Sequence, residues 1–193
     1  PTRAALLTGV YAHRVGLGKN GRDMDDNVAT VAETLLANGY QTAMVGKWHL
    51  TRAQPIQDKE EHLKWLSHQA YPDKDFGKPE TYPVGRGFER HYGPIWGVVN
   101  FFDPFSLVDG TEPVREVPED YYITDALSEK AVEYIEEMSG EDEPFFLYLA
   151  HTAPHWPVHA LPEDIAEYDG VYDSGWHALR EKRYARLVEL GLI

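Results

Sequence analysis

The sequence contains no cysteine, which excludes a disulfide framework, a thiolate zinc site and a thiol nucleophile within these 193 residues and leaves the redox compartment open. Long hydrophobic runs are missing too. The longest, such as Phe145 to Ala150, fall far short of the roughly 20 residues that a helical membrane span needs. Positive charge is scarce: 18 Lys and Arg stand against 32 Asp and Glu, a formal net charge of −14. Such a surface repels phosphate backbones, and no Lys/Arg cluster offers to release their counterions, so nucleic acid is a poor partner. The C-terminal basic run Arg180, Lys182, Arg183 and Arg186 is interleaved with Glu181 and Glu189 and reads as a solvated helix face. What remains is a chain with 42% hydrophobic and 12% aromatic residues, too apolar for disorder and long enough for one buried core.

The pattern along the chain is α/β. No initiator Met precedes Pro1 and no signal-like stretch follows it, so the sequence is expected to be an internal piece of a longer gene product. Pro1 suits a first helical position, and Ala4 to Leu7 favour a helix that Gly9 stops. Thr30 with Glu33 forms a capping box, Val31, Leu35 and Leu36 have helical spacing, and Gly39 suits the left-handed residue that follows such a helix. Thr42–Val45 reads as a short buried strand leading into Gly46-Lys47-Trp48-His49. A loop-rich span from about 51 to 118 holds most of the prolines and turn signals such as Tyr71-Pro72-Asp73, and insertions are placed there. Thr124–Met138 is helical, with Leu127, Ala131, Tyr134, Ile135 and Met138 on one side. Phe145–Ala150, continuous rather than alternating, reads as a strand buried on both faces. A last helix, roughly Trp176 to Leu190, is closed by Gly191. There is no internal repeat.

In α/β folds reactive residues gather just past the carboxyl ends of strands. His49 follows the first strand by four residues, and His151 and His155 follow the second. Imidazoles there can donate or accept a proton near neutral pH, although a single histidine is more often a surface or satisfied core residue. Arg3 at a helix start and Lys47 in the strand-end turn would, with unpaired helix N–H groups, form an anion pocket in an otherwise acidic protein; on spacing alone each is an ordinary surface cation. Trp48 and Trp156, beside His49 and His155, read as packing residues that fix the loops. Trp65, Tyr71, Tyr82, Tyr92 and Trp96 could stack on a sugar or aryl ring or anchor their loop. The acidic turn Asp23, Asp25, Asp26 and Asn27 lacks the glycine and closing glutamate of a calcium loop and reads as solvated.

Four separated motifs carry a family resemblance that spans essentially the whole chain. Pro1-Thr2-Arg3-Ala4-Ala5-Leu6-Leu7-Thr8-Gly9 resembles the second half of the sulfatase signature C/S-x-P-S/T-R-x-x-x-L-T-G. Gly39 to Leu50 resembles the second sulfatase signature. Gly87-Phe88-Glu89-Arg90-His91-Tyr92-Gly93 is similar to the family's G-F-D-x-F-Y-G segment, and Ala153-Pro154-His155-Trp156-Pro157 to its strand-end histidine loop. Phe102-Asp103-Pro104 and Tyr172-Asp173-Ser174-Gly175-Trp176 look like the arylsulfatase branch.

The resemblance implies an alkaline-phosphatase-like α/β/α sandwich with a mostly parallel central sheet. Residues 1–193 would then be a partial catalytic domain, its first strand and C-terminal part outside the sequence. It implies hydrolysis of a sulfate ester to alcohol and sulfate by a formylglycine, made by a formylglycine-generating enzyme from a Cys or Ser two positions before Pro1. Arg3 matches the arginine that holds the formylglycine hydrate, and Lys47 the lysine that bridges this group and the sulfate. His49 matches the histidine that takes a proton from the second hydroxyl, and His155 the histidine that binds sulfate and assists the departing alcohol. His151 has no matching role. Calcium is implied with its ligands outside this chain, so no metal ligand is assigned within it. The implied substrate is a small-molecule or carbohydrate sulfate ester, and the implied setting periplasmic, secreted or lysosomal. By itself the piece is expected to be inactive. Competing readings are a phosphatase or phosphodiesterase of the same superfamily and a non-enzymatic binding protein.

Overall fold

The computed structural model describes residues 2–62 and 75–193. Residues 2–158 form one compact unit and 159–193 another.

Helix α1 (Thr2–Thr8) ends where Gly9 turns to φ +69° and its N–H bonds to the Ala5 carbonyl at 2.9 Å. Helix α2 (Val31–Leu36) starts as the capping box predicts: Thr30 Oγ1 accepts from the Glu33 N–H at 3.0 Å, and Glu33 Oε2 accepts from the Thr30 N–H at 2.6 Å. Gly39, at φ +81°, turns the chain into β1 (Gln41–Gly46). Four further strands follow: β2 (Arg90–Pro94), β3 (Leu107–Asp109), β4 (Glu112–Pro113) and β5 (Phe145–Ala150). Their order across the sheet is β4-β3-β2-β1-β5. Strands β2, β1 and β5 are parallel, and β3 and β4 add an antiparallel margin. Helix α3 (Ile123–Ser139) precedes β5.

The alternation of strand side chains builds a core on each face of the sheet. Met44 packs with Ala4 and Leu7 of α1, Ala32 of α2, Trp48 and Phe88, while Ala43 and Val45 pack with Leu127, Ala131, Tyr134 and Met138 of α3. In β5, Phe146 and Tyr148 join the first cluster and Leu147 joins the second.

Three expectations are corrected. β5 is not buried on both faces: Phe145 and Leu149 are 37% and 41% exposed. Among the described residues β5 pairs only with β1, and α3 covers only Leu147 on that side. Ile135 is likewise 39% exposed, because the apolar face of α3 runs through Ile123, Leu127, Ala131, Tyr134 and Met138 and the 3.6-residue period carries Ile135 past its edge. Finally, the span read as loop-rich contains β2, β3 and β4, strands too short for a strong periodic signal. The Tyr71-Pro72-Asp73 turn lies outside the described residues.

One buried node was not legible in the sequence. Arg86, 5% exposed, donates from Nε to Glu33 Oε1 at 3.0 Å, from Nη2 to the Val28 carbonyl at 3.1 Å and from Nη1 to the Asp25 carbonyl at 3.2 Å. Thr30 Oγ1 in turn donates to the Arg86 carbonyl at 2.9 Å. The next residue, Gly87, sits at φ +90°, and a Cβ there would lie 2.2 Å from the Glu33 nitrogen. The helix cap and the turn before β2 are therefore one hydrogen-bonded unit.

The second unit contains α4 (Pro162–Ala166) and α5 (Gly175–Glu189), and neither helix buries a residue. Arg186 pairs with Glu189 at 2.7 Å on the solvated face. Gly191, at φ +66°, follows the last turn as expected. Among the described residues no helix is long and apolar enough to cross a membrane.

Removing the Arg86 guanidinium leaves the Glu33 carboxylate and the Met24, Asp25 and Val28 carbonyls without their donor, so Arg86→Met is expected to lower unfolding free energy by about 3 kcal/mol in urea titrations. Burial alone would push the Glu33 carboxyl up, but Arg86 and the Thr30 cap outweigh it and hold the carboxyl below its ordinary value. Its stabilisation is thus complete above the unfolded pKa of roughly 4.3 and fades as pH falls through the lower folded value. The stability gap between the native chain and Glu33→Gln should accordingly close in acid.

Candidate active site

The end of β1 is a place where three backbones nearly touch. Gly46 pairs with Ala150, and at φ +109° a Cβ on it would lie 2.1 Å from the Ala150 carbonyl oxygen. From the other side, a Cβ on Gly93 would lie 2.2 Å from the Gly46 oxygen. Only glycine fits either position. His91, buried beneath, donates from Nε2 to the Gly46 carbonyl at 3.3 Å, and burial pushes its pKa down to about 4.

The chain then leaves the strand with its neighbours still holding it. The Lys47 N–H bonds to Ala150 O at 2.9 Å, Trp48 N–H to Pro94 O at 3.0 Å and His49 N–H to Ile95 O at 2.9 Å. Trp48 is fully buried, its Nε1 donating to Thr81 O at 2.9 Å and its ring edge-on to Phe88. That anchor leaves Lys47 and His49, on either side of it, to face the strand end. His49 adopts φ +59°, a left-handed conformation that costs a non-glycine residue about 1 kcal/mol. Its ring meets the Trp96 indole edge-on, centroids 5.5 Å apart, and fills the space above Gly97, where a Cβ would lie 2.3 Å from His49 Cε1.

Arg3, on α1, is half-buried and donates from Nη1 to the Lys47 carbonyl at 2.7 Å and to the Tyr148 hydroxyl at 3.1 Å. A single guanidinium thus ties α1, the β1 exit and β5 together. His155 lies in the loop after β5; its N–H bonds to Thr152 O at 3.1 Å, and Nδ1 lies 2.8 Å from Trp156 O. A carbonyl only accepts, so Nδ1 carries the proton that it donates.

Charge follows from this geometry. Burial, and then the Arg3 guanidinium, push the Lys47 ammonium down to about 8. Burial, then Lys47 and Arg3, with His155 adding to the same effect, push the His49 imidazole down to about 4. At neutral pH the site therefore presents two cations next to a neutral base. Such a group can hold an anion and take a proton from a donor brought beside it.

Arg3, Lys47, His49 and His155 thus meet at one end of the sheet. Trp48 packs as read from the sequence, whereas Trp156 is 68% exposed because the loop turns it outward, correcting the reading of it as a loop-fixing residue. Tyr82 is an anchor, 1% exposed, with its hydroxyl accepting from the Gly77 N–H at 3.1 Å, and Tyr92 bonds Tyr121 through their hydroxyls at 3.2 Å. Trp65 and Tyr71 lie outside the described residues. His151 Nδ1 and Thr152 Oγ1 are buried without a hydrogen-bond partner. Asp23 accepts from the Arg52 N–H at 2.8 Å, and among the described residues no three His, Asp or Glu side chains converge as a metal site. Trp96, read as a stacking or anchoring residue, packs against His49 and Phe76; Tyr148 and Gly97 escaped the sequence reading. Tyr148 shares the strand face of Ala150 by the period of two, a signal that could have found it; Gly97 carries none.

The sulfatase family model matches residues 1–190. The chain is 31% identical over 208 residues to an arylsulfatase from Klebsiella aerogenes, covering 100% of this chain and 41% of that protein. It is 30% identical over 215 residues to an uncharacterized sulfatase of Schizosaccharomyces pombe, covering 100% of this chain and 36% of that one. Among solved structures, Ps i-CgsB in complex with k-i-k-neocarrahexaose matches with a TM-score of 0.65 and 29% identity, over 87% of this chain and 37% of that chain. The chain therefore spans about two fifths or less of these relatives. Its mixed α/β architecture is the alkaline-phosphatase-like fold of its structural neighbours, of which it covers a part.

The His49 imidazole should titrate in NMR with a midpoint near pH 4, and Lys47→Met should raise that midpoint by removing the nearest charge. Gly97→Ala should displace the ring, seen as a loss of its chemical-shift contact with Trp96.

Proposed function

Because the chain belongs to the sulfatase family, we propose that the full-length protein is a sulfuric ester hydrolase that releases sulfate from a small-molecule or carbohydrate ester. The observation that carries this reading is the convergence of Lys47, Arg3 and His155 on a neutral His49. Two cations and two imidazoles around one strand end match the needs of a sulfuryl group, whose oxygens gain charge as the ester bond breaks.

A formylglycine would supply a hydrated aldehyde oxygen to attack sulfur and a second hydroxyl through which sulfate is later expelled. The residues present fit that group: Arg3 lies in the first turn of α1 and Lys47 is nearly buried beside it. In this proposal Arg3 would hold that group by its guanidinium, and Lys47 would bind both it and the sulfate ester. His49, kept neutral by its surroundings, takes the proton from the second hydroxyl. His155 binds sulfate and assists the departing alcohol at its own Nε2, which requires prior protonation there. The calcium ligands and the modified residue are proposed to belong to the remainder of the full-length protein. Ps i-CgsB, with its bound neocarrahexaose, supports a carbohydrate as the alcohol. The phosphatase reading gains no support from these relatives.

The full-length protein should hydrolyse an aryl sulfate faster than the matched aryl phosphate. Arg3→Ala and Lys47→Ala should each lower kcat/KM by about 100-fold or more, the equivalent of roughly 3 kcal/mol for a lost preorganised donor; sulfate release near the native rate would remove these roles. Because Lys47 loses its proton near pH 8, kcat/KM should decline above that pH, and Lys47→Arg should move the decline upward.

A further inference from the structure

A second cationic feature lies next to the site and has no part in the proposed chemistry. Lys19, Arg22 and Arg52 line an open pocket of about 690 Å³, with Gly21, Asp23 and Asp25 on its walls. That volume suits a small ligand or one sugar unit with its substituents. In a chain of net charge −14, three cations facing one cavity are a local reversal of sign.

The walls are built rather than loose. Met24 N–H bonds to Leu50 O at 3.0 Å and Asp25 N–H to Val15 O at 3.0 Å, so the turn is tied on one side to the segment that follows His49. The Arg52 N–H bonds to Asp23 Oδ1 at 2.8 Å, and the Asp25 carboxylate lies over Gly16, where a Cβ would be 2.5 Å from Oδ1. The Asp23 carboxylate is thus engaged with the backbone, and that of Asp25 packs over Gly16. The three cationic side chains, by contrast, make no ion pair or hydrogen bond among the described residues.

The pocket is close to the candidate active site. Arg52 follows His49 by three residues, which limits their Cα separation to about 11 Å. One indole touches both: a Cβ on Gly21 would lie 3.9 Å from Trp96 Cη2, and the His49 ring lies edge-on to Trp96 with centroids 5.5 Å apart. A substrate whose sulfate lies at His49 would therefore carry its neighbouring unit past Trp96 towards Lys19, Arg22 and Arg52.

We propose that the Lys19–Arg22–Arg52 pocket is a subsite for a second anionic group of the substrate, a sulfate or carboxylate on the sugar adjoining the one that is cleaved. This rests on the sulfatase reading and adds to it: the preferred substrate is a polyanionic carbohydrate rather than a simple aryl sulfate. The exposed cations select by charge and reach, and Trp96 offers an apolar face to the sugar between them.

The test uses the full-length, matured enzyme with three disaccharides of one backbone: monosulfated, disulfated, and monosulfated with a carboxylate on the second sugar. 4-Nitrophenyl sulfate serves as the control. The native enzyme should favour the two dianionic disaccharides in kcat/KM. Arg22→Gln combined with Arg52→Gln should reduce that preference by about tenfold or more, through KM, while 4-nitrophenyl sulfate turnover stays unchanged. Lys19→Gln and the charge reversal Arg22→Glu provide independent variants at exposed positions. Which dianion loses more identifies sulfate or carboxylate as the group held. A preference that is absent in the native enzyme, or unmoved by the substitutions, overturns the subsite. Failure to hydrolyse any sulfate would instead overturn the sulfatase reading, and calorimetric binding of the disulfated disaccharide to native and Arg22→Glu protein then decides the subsite without turnover.

Discussion

The close approach of backbones at Gly46 is the constraint on which the rest of the structure depends. Gly46 is in register with Ala150, and Gly93 lies against its carbonyl oxygen, at distances that leave no room for a Cβ on either glycine. Because the three strands converge there, the Lys47 N–H can still reach Ala150 and the His49 N–H can reach Ile95 after the strand has ended. The exit of β1 is held between two neighbours, and each polar side chain on it has a fixed direction. A side chain at Gly46 would separate the loops that carry Lys47, His49 and His155.

Electrostatics then follow from packing. The chain is acidic overall, yet the strand end is lined by cations whose charge is costly because water is excluded. Lys47 is 6% exposed, and Arg3 lies close enough to bond to its carbonyl. Neither has a carboxylate partner among the described residues, which leaves their charge available to a ligand. His49, third in the row, responds by remaining neutral at physiological pH. In the proposed reaction this desolvated pair of cations supplies the anion site and, together with burial of the imidazole itself, keeps the base neutral.

Much of this was readable from residue types and spacing. The cap at Thr30 and Glu33, the stop at Gly9, the strand at β1 and the helix before β5 follow from local rules, because a helix cap or a left-handed glycine is decided within a few residues. The sequence order of Arg3, Lys47, His49 and His155 was legible through the motifs around them. What escaped was non-local. Arg86 closes on Glu33 across 53 residues, Arg3 on Tyr148 across 145, and Gly97 makes room for a ring 48 positions away in the chain, none of which leaves a periodic trace. The burial of β5 was overestimated for a related reason: an unbroken apolar run shows that a strand can be buried on both faces, but the neighbours that cover it are set by sheet order.

The sequence by itself determined which residues could do chemistry and the local elements that carry them, since donors, acceptors, caps and turns are properties of residue type and short spacing. Tertiary structure alone decided that two cations and two histidines from distant segments gather at one end of the sheet, that burial makes one histidine neutral, and that three further cations line one pocket. Proximity and desolvation depend on which segments pack together, and that is fixed only when the sheet has closed over its core.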